Sequence, residues 1–450
     1  MRVLMFTWEF PPLIAGGLGM ACYGMVKALL KLGVEVDLVL PTKELIYMPL
    51  RKVEDVDLLP TVFLDPIKQH EFKSKVFETR EEKFEFIGIS GIPETYAQLS
   101  LSDNDHSKRL REYWDSEIRD IDEKKLWQAM SDNLVGEEDI IRKVQIFTER
   151  AKRFASELKF DIIHAHDWLT YPAGMIARRI SGKPMVAHIH ATEFDRAGGP
   201  GDERVHKIEH AGMTYADRVI AVSQYTAQMI MSRYQIDSGK ICIVHNAFTI
   251  PEDAVLHKER IFTGPVILFL GRITLQKGPE YFLEMAKRVL DKHPDARFIM
   301  AGTGDMGRQM LRDSAAKRLK NKFLFTGFLN RKEVERIIRA SDIYVLPSIS
   351  EPFGISPLEA MAYGITSIIS KQSGVSEVVH NAFKIDYWDV DLWVETISHL
   401  IENPEKCAKL GYDGMKEVHL IQWDDAAETI KKVYEEKCSP VKAKTKKGED

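Results

Sequence analysis

Short apolar runs recur along the chain at residues 34–40, 161–164, 185–190, 218–222, 266–270, 298–301 and 343–346, and longer stretches of helical period separate them. Runs this short and this apolar read as strands buried on both faces, and their alternation with helices predicts βαβ units and parallel sheets. Both halves carry the pattern independently. Residues 245–265, with Pro251 and several charges, interrupt it and read as the linker. The expected fold class is α/β, with two Rossmann-like doubly wound domains facing an interdomain cleft, over residues 1–255 and 256–422. From Glu44 to Arg150 the pattern weakens, and residues 100–136 are crowded with charges broken by Tyr113, Trp114 and Trp127. A mainly helical insertion in the first domain, about residues 66–150, is expected, its aromatics anchoring it to the body. Helical periodicity returns at residues 423–436, and residues 437–450 form a lysine-rich tail expected to be disordered.

Composition narrows the function classes. A chain of 450 residues exceeds the size at which one core stops growing, so two or more domains are expected. With 44% hydrophobic residues, 29% charged residues and a net charge of -5, it has no basic bias, and nucleic acid is excluded as the main partner. Cys22, Cys242, Cys407 and Cys438 are scattered without a Cys-x-x-Cys pair, which predicts neither a disulfide framework nor a zinc knot. The opening apolar run is too short for a signal-peptide core and no run reaches membrane-spanning length, so a cytoplasmic protein without stable membrane insertion is expected. Composition sets no oligomeric state.

Three loops carry candidate chemistry. Ala15-Gly16-Gly17-Leu18-Gly19 opens a helix expected from about Met20 to Leu32, and glycines at a helix N-terminus let backbone amides approach a diphosphate. Strand 266–270 runs into Gly271-Arg272-Ile273-Thr274-Leu275-Gln276-Lys277-Gly278, where two cations flank one strand-to-helix loop. A guanidinium fork and a compact ammonium suit the charge that builds on a departing nucleoside diphosphate. Ser350-Glu351-Pro352-Phe353-Gly354-Ile355-Ser356-Pro357-Leu358-Glu359 spaces two carboxylates across a strand end, a turn and a helix start. Ser356-Pro357 reads there as an N-cap followed by proline in the first turn, which puts Glu359 inside the helix.

Taken in order across both domains, the Gly-Gly loop, Arg272 with Lys277, and Glu351-x7-Glu359 resemble retaining GT-B glycosyltransferases, above all glycogen and starch synthases and their family-four relatives. The resemblance implies a nucleotide-diphosphate sugar in the cleft, its diphosphate held by Arg272 and Lys277, its sugar faced by Glu351 and its ribose by Glu359. Gly16, Gly17, Leu18, Gly302, Gly304, Phe353, Gly354 and Ile355 complete the donor-binding set. His164-Ala165-His166-Asp167-Trp168 resembles the His-x-His-Asp-Trp segment of glycogen synthases and places Asp167 at the reaction centre, while His190-Ala191-Thr192-Glu193 resembles a family-four segment whose histidine contacts the sugar. The C-terminal helix is expected, by the same resemblance, to cross back onto the first domain.

The implied reaction is retaining transfer of glucose from UDP- or ADP-glucose to an α-1,4-glucan by front-side displacement, the leaving phosphate assisting the acceptor hydroxyl. Three other readings stand beside it: a family-four transferase acting on a lipid, a surface polysaccharide or a small metabolite; a nucleotide-sugar epimerase; and a non-catalytic nucleotide-sugar sensor. Gly302-Thr303-Gly304-Asp305-Met306-Gly307 fits a dinucleotide fingerprint, yet residues 322–329 lack the acidic ribose anchor, so a place beside the nucleotide is expected instead. Six of the 14 histidines lie between His164 and His210, without recognised metal spacing, and none of four Asp-x-Asp triplets sits at a clear strand end. No metal and no cofactor are expected. Lys277→Ala is expected to cut turnover by roughly 10²–10³ and to leave thermal melting nearly unchanged.

Overall fold

The computed structural model describes residues 1–11, 17–41, 87–88, 140–250 and 258–439. In chain order the first half holds β1 (Arg2–Phe6), α1 (Gly17–Lys31), β2 (Glu35–Leu40), β3 (Ile87–Gly88), α2 (Ile140–Glu157), β4 (Ile162–His166) and α3 (Tyr171–Ser181). It continues with β5 (Met185–Ile189), α4 (Glu193–Ala197), α5 (Glu203–Tyr215), β6 (Arg218–Ala221), α6 (Gln224–Tyr234) and β7 (Ile241–Ile243). The second half holds β8 (Val266–Leu270), α7 (Pro279–Lys292), β9 (Arg297–Ala301), α8 (Gly307–Ala316), β10 (Phe323–Gly327), α9 (Arg331–Arg339), β11 (Ile343–Leu346) and α10 (Ile355–Ala362). It ends with β12 (Thr366–Ser370), β13 (Phe383–Ile385), α11 (Val390–Glu402), α12 (Pro404–Val418) and α13 (Trp423–Cys438).

Seven strands pair in the order β3-β2-β1-β4-β5-β6-β7 and six in the order β10-β9-β8-β11-β12-β13. Every named pairing is parallel. Each sheet therefore reverses direction beside its first strand, at β1/β4 and at β8/β11, and strand-to-helix loops gather at those reversals. The inner strands are buried apart from the first residue of β1, β2, β6 and β9, which is why they read as apolar runs rather than as alternation.

Local chemistry sets the helix starts near the cleft. Thr192 caps α4, and Asp195 closes a reciprocal capping box with it. Ser223 caps α6 by accepting from Thr226 N. Helix α13 buries Trp423, Ala427, Ile430, Val433 and Tyr434 in the first-half core, against α1, and ion pairs Lys31–Asp424 and Arg218–Glu436 flank it.

Three details differ from the sequence reading. Helix α1 starts at Gly17, three residues early, and α13 runs two residues past 436. The expected insertion boundary at residue 150 falls inside α2, whose Phe147 and Phe154 are fully buried in the first core. The rest of that insertion, β3 apart, lies outside the described residues, as do residues 251–257 of the linker and 440–450 of the tail. No described helix is long and apolar enough to cross a membrane.

Candidate active site

On the first sheet the site begins where β4 and β5 end. Asp167 leaves β4 with φ of 57°, in the left-handed region, which a short acidic side chain tolerates better than most. That turn lets its amide donate to His188 O at 2.9 Å and its Oδ1 accept from the His190 amide at 2.7 Å. Asp167 and His190, 23 residues apart, are thus fixed to each other directly.

Behind them four histidines form a column, because the β4/β5 register sets His166 opposite His188 and the alternation of each strand adds His164 and His190. Adjacent rings lie 4.3 Å (His164–His166), 5.0 Å (His166–His188) and 4.4 Å (His188–His190) apart. His166 Nδ1 and His190 Nε2 share a hydrogen bond of 2.9 Å, His164 Nε2 and His188 Nδ1 one of 3.2 Å, and His164 Nδ1 meets the Tyr434 hydroxyl at 2.5 Å. Burial, and then the neighbouring histidines, hold His164, His166 and His188 well below the ordinary histidine range. Burial lowers His190 as well, with Asp167 opposing. The column is therefore neutral at physiological pH. Two sets of three potential metal ligands occur among the described residues, Cys22–His166–His190 and His164–His166–His188, a proximity that sequence spacing did not reveal.

On the second sheet the loop after β8 carries Arg272 and Lys277. Lys277 Nζ pairs with Glu351 Oε2, and both side chains are largely buried, at 14% and 7% exposure. Ser348 Oγ donates to the same carboxylate oxygen at 3.3 Å. Arg272 is half-buried, and its guanidinium has no hydrogen-bond or ion-pair partner among the described residues. The glycine loop after β9 crosses this segment so closely that a Cβ on Gly302 would lie 1.9 Å from Gly271 O, and one on Gly304 2.2 Å from Ile273 O. Gly302 and Gly304 thereby serve the shape of the Arg272 loop.

Glu351 lies between strands, its amide donating to Gln372 O and its carbonyl accepting from Gly374 N, both at 2.9 Å. Gly354 turns back onto it with φ of 95°, where a Cβ would stand 3.0 Å from Glu351 Cγ. Here the sequence reading is corrected: Gly354, not Ser356, occupies the N-cap of α10, and Ser356 sits inside the helix with its hydroxyl 2.8 Å from that of Tyr344. The early start follows from the left-handed turn at Gly354, which brings Ile355 into helical conformation. Phe353 is buried beneath this turn, and Ile355 packs against the cores of both halves. Burial pushes the Glu359 carboxyl up to about 7, with Arg331 opposing and Glu335 adding to the shift.

Of the remaining donor-side expectations, Gly17 is the exposed first residue of α1, Leu18 is buried behind it, and Gly16 lies outside the described residues. The sequence reading gave no role to Asp195, Ser223, Tyr225 or Ser350. Ser350 Oγ donates to Asp195 Oδ1 at 2.5 Å and so bridges residues 155 apart. Glu377 accepts from the amides of Gln224 and Tyr225, each at 2.8 Å, and meets His245 Nε2 at 2.8 Å. Those three donors hold its carboxyl below the usual range against the opposing effect of burial.

Set beside known proteins, the chain matches the family described as starch synthase catalytic domain over residues 2–240 and that described as glycosyl transferases group 1 over residues 239–417. It is 27% identical over 394 residues to the uncharacterized glycosyltransferase MJ1607 of Methanocaldococcus jannaschii, covering 84% of this chain and 83% of that protein. To the glycogen synthase of Mycobacterium tuberculosis it is 29% identical over 229 residues, 49% of this chain and 54% of that one. Its fold resembles that of sucrose-phosphate synthase from Thermosynechococcus elongatus with a TM-score of 0.67 at 18% identity, covering 97% and 98% of the two chains.

Proposed function

From a chain that belongs to the starch synthase catalytic-domain family, and is a glycosyltransferase of the GT-B type, we propose retaining transfer of glucose from UDP- or ADP-glucose to an α-1,4-glucan. The observation that carries this reading is the meeting of Lys277 with Glu351, 74 residues away, beside a half-buried Arg272. Two cations and one carboxylate then stand at a single loop cluster. Arg272 and Lys277 supply fixed positive charge where the leaving diphosphate gains negative charge, and Glu351 faces the donor sugar. Glu359, on the helix that follows, takes the ribose.

From the other sheet Asp167 and His190 bring polar groups towards the sugar. The amide of His190 is committed to Asp167, so its ring is aimed by the backbone as well as by His166. No side chain is required as a covalent nucleophile: in front-side displacement the departing phosphate oxygen takes the acceptor proton as the acceptor oxygen bonds to the anomeric carbon. The family match over residues 2–240, the side from which acceptor contacts come, supports a glucan acceptor. The group 1 match over residues 239–417 supports a second reading, the same donor chemistry with a lipid, surface polysaccharide or small-metabolite acceptor.

The test is incubation of purified protein with UDP-glucose and, separately, ADP-glucose, with and without glycogen or malto-oligosaccharides. Nucleoside diphosphate release and product chain length are followed. Elongated chains with either donor establish the glucan reading. Donor turnover that no glucan stimulates shifts the acceptor to the second class.

A further inference from the structure

The segment that carries Glu351 belongs to the second half, yet the side chains that grip it come from the first. On one side of Glu351, Ser350 Oγ donates to Asp195 Oδ1 at 2.5 Å and accepts from the Tyr225 hydroxyl at 3.0 Å. On its other side, Pro352 O accepts from Ser223 Oγ at 2.5 Å and from Thr226 Oγ1 at 3.2 Å. Asp195 is held in turn: its Oδ2 accepts from the Thr192 amide at 2.8 Å and the Thr192 hydroxyl at 2.7 Å. Asp195, Ser223, Thr226, Ser350 and Glu351 are all buried, so water cannot replace these bonds cheaply.

Burial raises the Asp195 carboxyl, and the hydrogen bonds it accepts from Ser350 and Thr192 oppose that shift by favouring the ionised form. In that form the carboxylate only accepts, so the Ser350 hydrogen is committed to Asp195, and the serine oxygen is left to receive the hydrogen of Tyr225. The chain Tyr225 to Ser350 to Asp195 thus leaves the first half, enters the second and returns. A bond to an ionised acceptor is roughly twice as strong as a neutral one. Ser350 is the residue whose backbone delivers Glu351 to Lys277.

We propose that Asp195 and Tyr225 are positioning residues, which act through Ser350 to aim the Glu351 carboxylate, so that this carboxylate is correctly placed only while the two halves are closed on each other. The inference rests on the reading that Glu351 faces the donor sugar. It assigns to two first-half residues an effect on donor chemistry in the second half, without contact to the donor.

Ser350→Ala, Ser350→Thr, Tyr225→Phe and the double variant Tyr225→Phe/Ser350→Ala test it, with turnover, nucleoside diphosphate affinity by calorimetry, and backbone hydrogen exchange of the peptide spanning residues 350–354. Since misplacing a reacting group by about 1 Å costs on the order of 10²-fold, Ser350→Ala should lose roughly 10- to 100-fold in kcat. Diphosphate affinity should stay within about twofold, because Arg272 and Lys277 are untouched. Ser350→Thr, which keeps the hydroxyl, should recover most of kcat, and the double variant should be no worse than Ser350→Ala alone. Exchange in the 350–354 peptide should speed up in Ser350→Ala. Unchanged kcat, additive losses, or affinity falling in step with kcat would overturn the proposal. If the wild type turns over no donor, the transfer reading has failed instead, and hydrogen exchange still decides: unchanged exchange in Ser350→Ala removes the positioning role.

Discussion

At the scale of single residues, the Lys277–Glu351 pair changes what each substitution should do. With Glu351 only 7% exposed, removing Lys277 leaves a buried carboxylate without its cation. Lys277→Ala should therefore cut turnover by roughly 10²–10³ and also lower the melting temperature by about 5 °C or more. This replaces the sequence expectation of nearly unchanged melting, because the structure pairs Lys277 with a buried carboxylate. The reverse substitution separates the roles. Glu351→Gln frees Lys277 from a competing anion, so nucleoside diphosphate should bind several-fold more tightly while turnover falls, and the double variant Lys277→Ala/Glu351→Gln should regain most of the lost melting temperature. Calorimetry and thermal denaturation check both; weaker diphosphate binding in Glu351→Gln would show that Lys277 does not serve the phosphates. Glu359 supplies a pH dependence. Burial raises its carboxyl to about 7, so it is half-protonated near neutrality. Accepting two ribose hydroxyls requires the ionised form, so affinity should weaken as pH falls, by about tenfold from pH 8 to pH 6. Glu359→Gln should flatten that dependence, the titration of the diphosphate itself remaining in both proteins and cancelling in the comparison.

At the scale of elements, loops and helix starts were legible where they obey local rules. The glycine loop after β9, the buried strands and the periodic face of α13 all follow from spacing, whereas the N-cap at Gly354 was misread because Ser-Pro imitates a helix start two residues too late. The histidine column was not legible. Its four rings meet only through the register of β4 with β5, and register is a property of the pair of strands rather than of either sequence. The same limit hid Tyr434, whose hydroxyl lies 2.5 Å from His164 Nδ1 across 270 residues. That bond gives α13 a measurable duty. Tyr434→Phe keeps the packing but strands a buried ring nitrogen, at a cost of about 1–3 kcal/mol. Melting should fall by roughly 3–10 °C with turnover within about twofold of wild type, because no donor contact is touched. A variant that melts like the wild type would mean that the column finds another partner.

At the scale of the whole molecule, the two-domain α/β architecture was readable because each half repeats the same strand–helix alternation. The joint between them was not, since Ser350–Asp195 and Glu377 at the start of α6 unite residues more than a hundred positions apart. Charge balance across that joint sets the last expectation. In the proposed function the donor brings a diphosphate to a loop whose two cations are Arg272, unpaired among the described residues, and Lys277, shared with Glu351. On that reading a closed, water-excluding site would strengthen both charges, and these two cations take the part that a divalent ion plays elsewhere. The groups of three metal-ligating side chains among the described residues, Cys22–His166–His190 and His164–His166–His188, lie instead on or just past β4 and β5 and on α1, in the other half of the chain from Arg272 and Lys277. Dialysis against EDTA, followed by assay in chelator, should therefore leave turnover within about twofold, and added magnesium or manganese should not raise it. If chelation abolishes turnover and a divalent ion restores it, the two cations do not suffice, and Arg272 and Lys277 must be reassigned from neutralising the leaving group to orienting it.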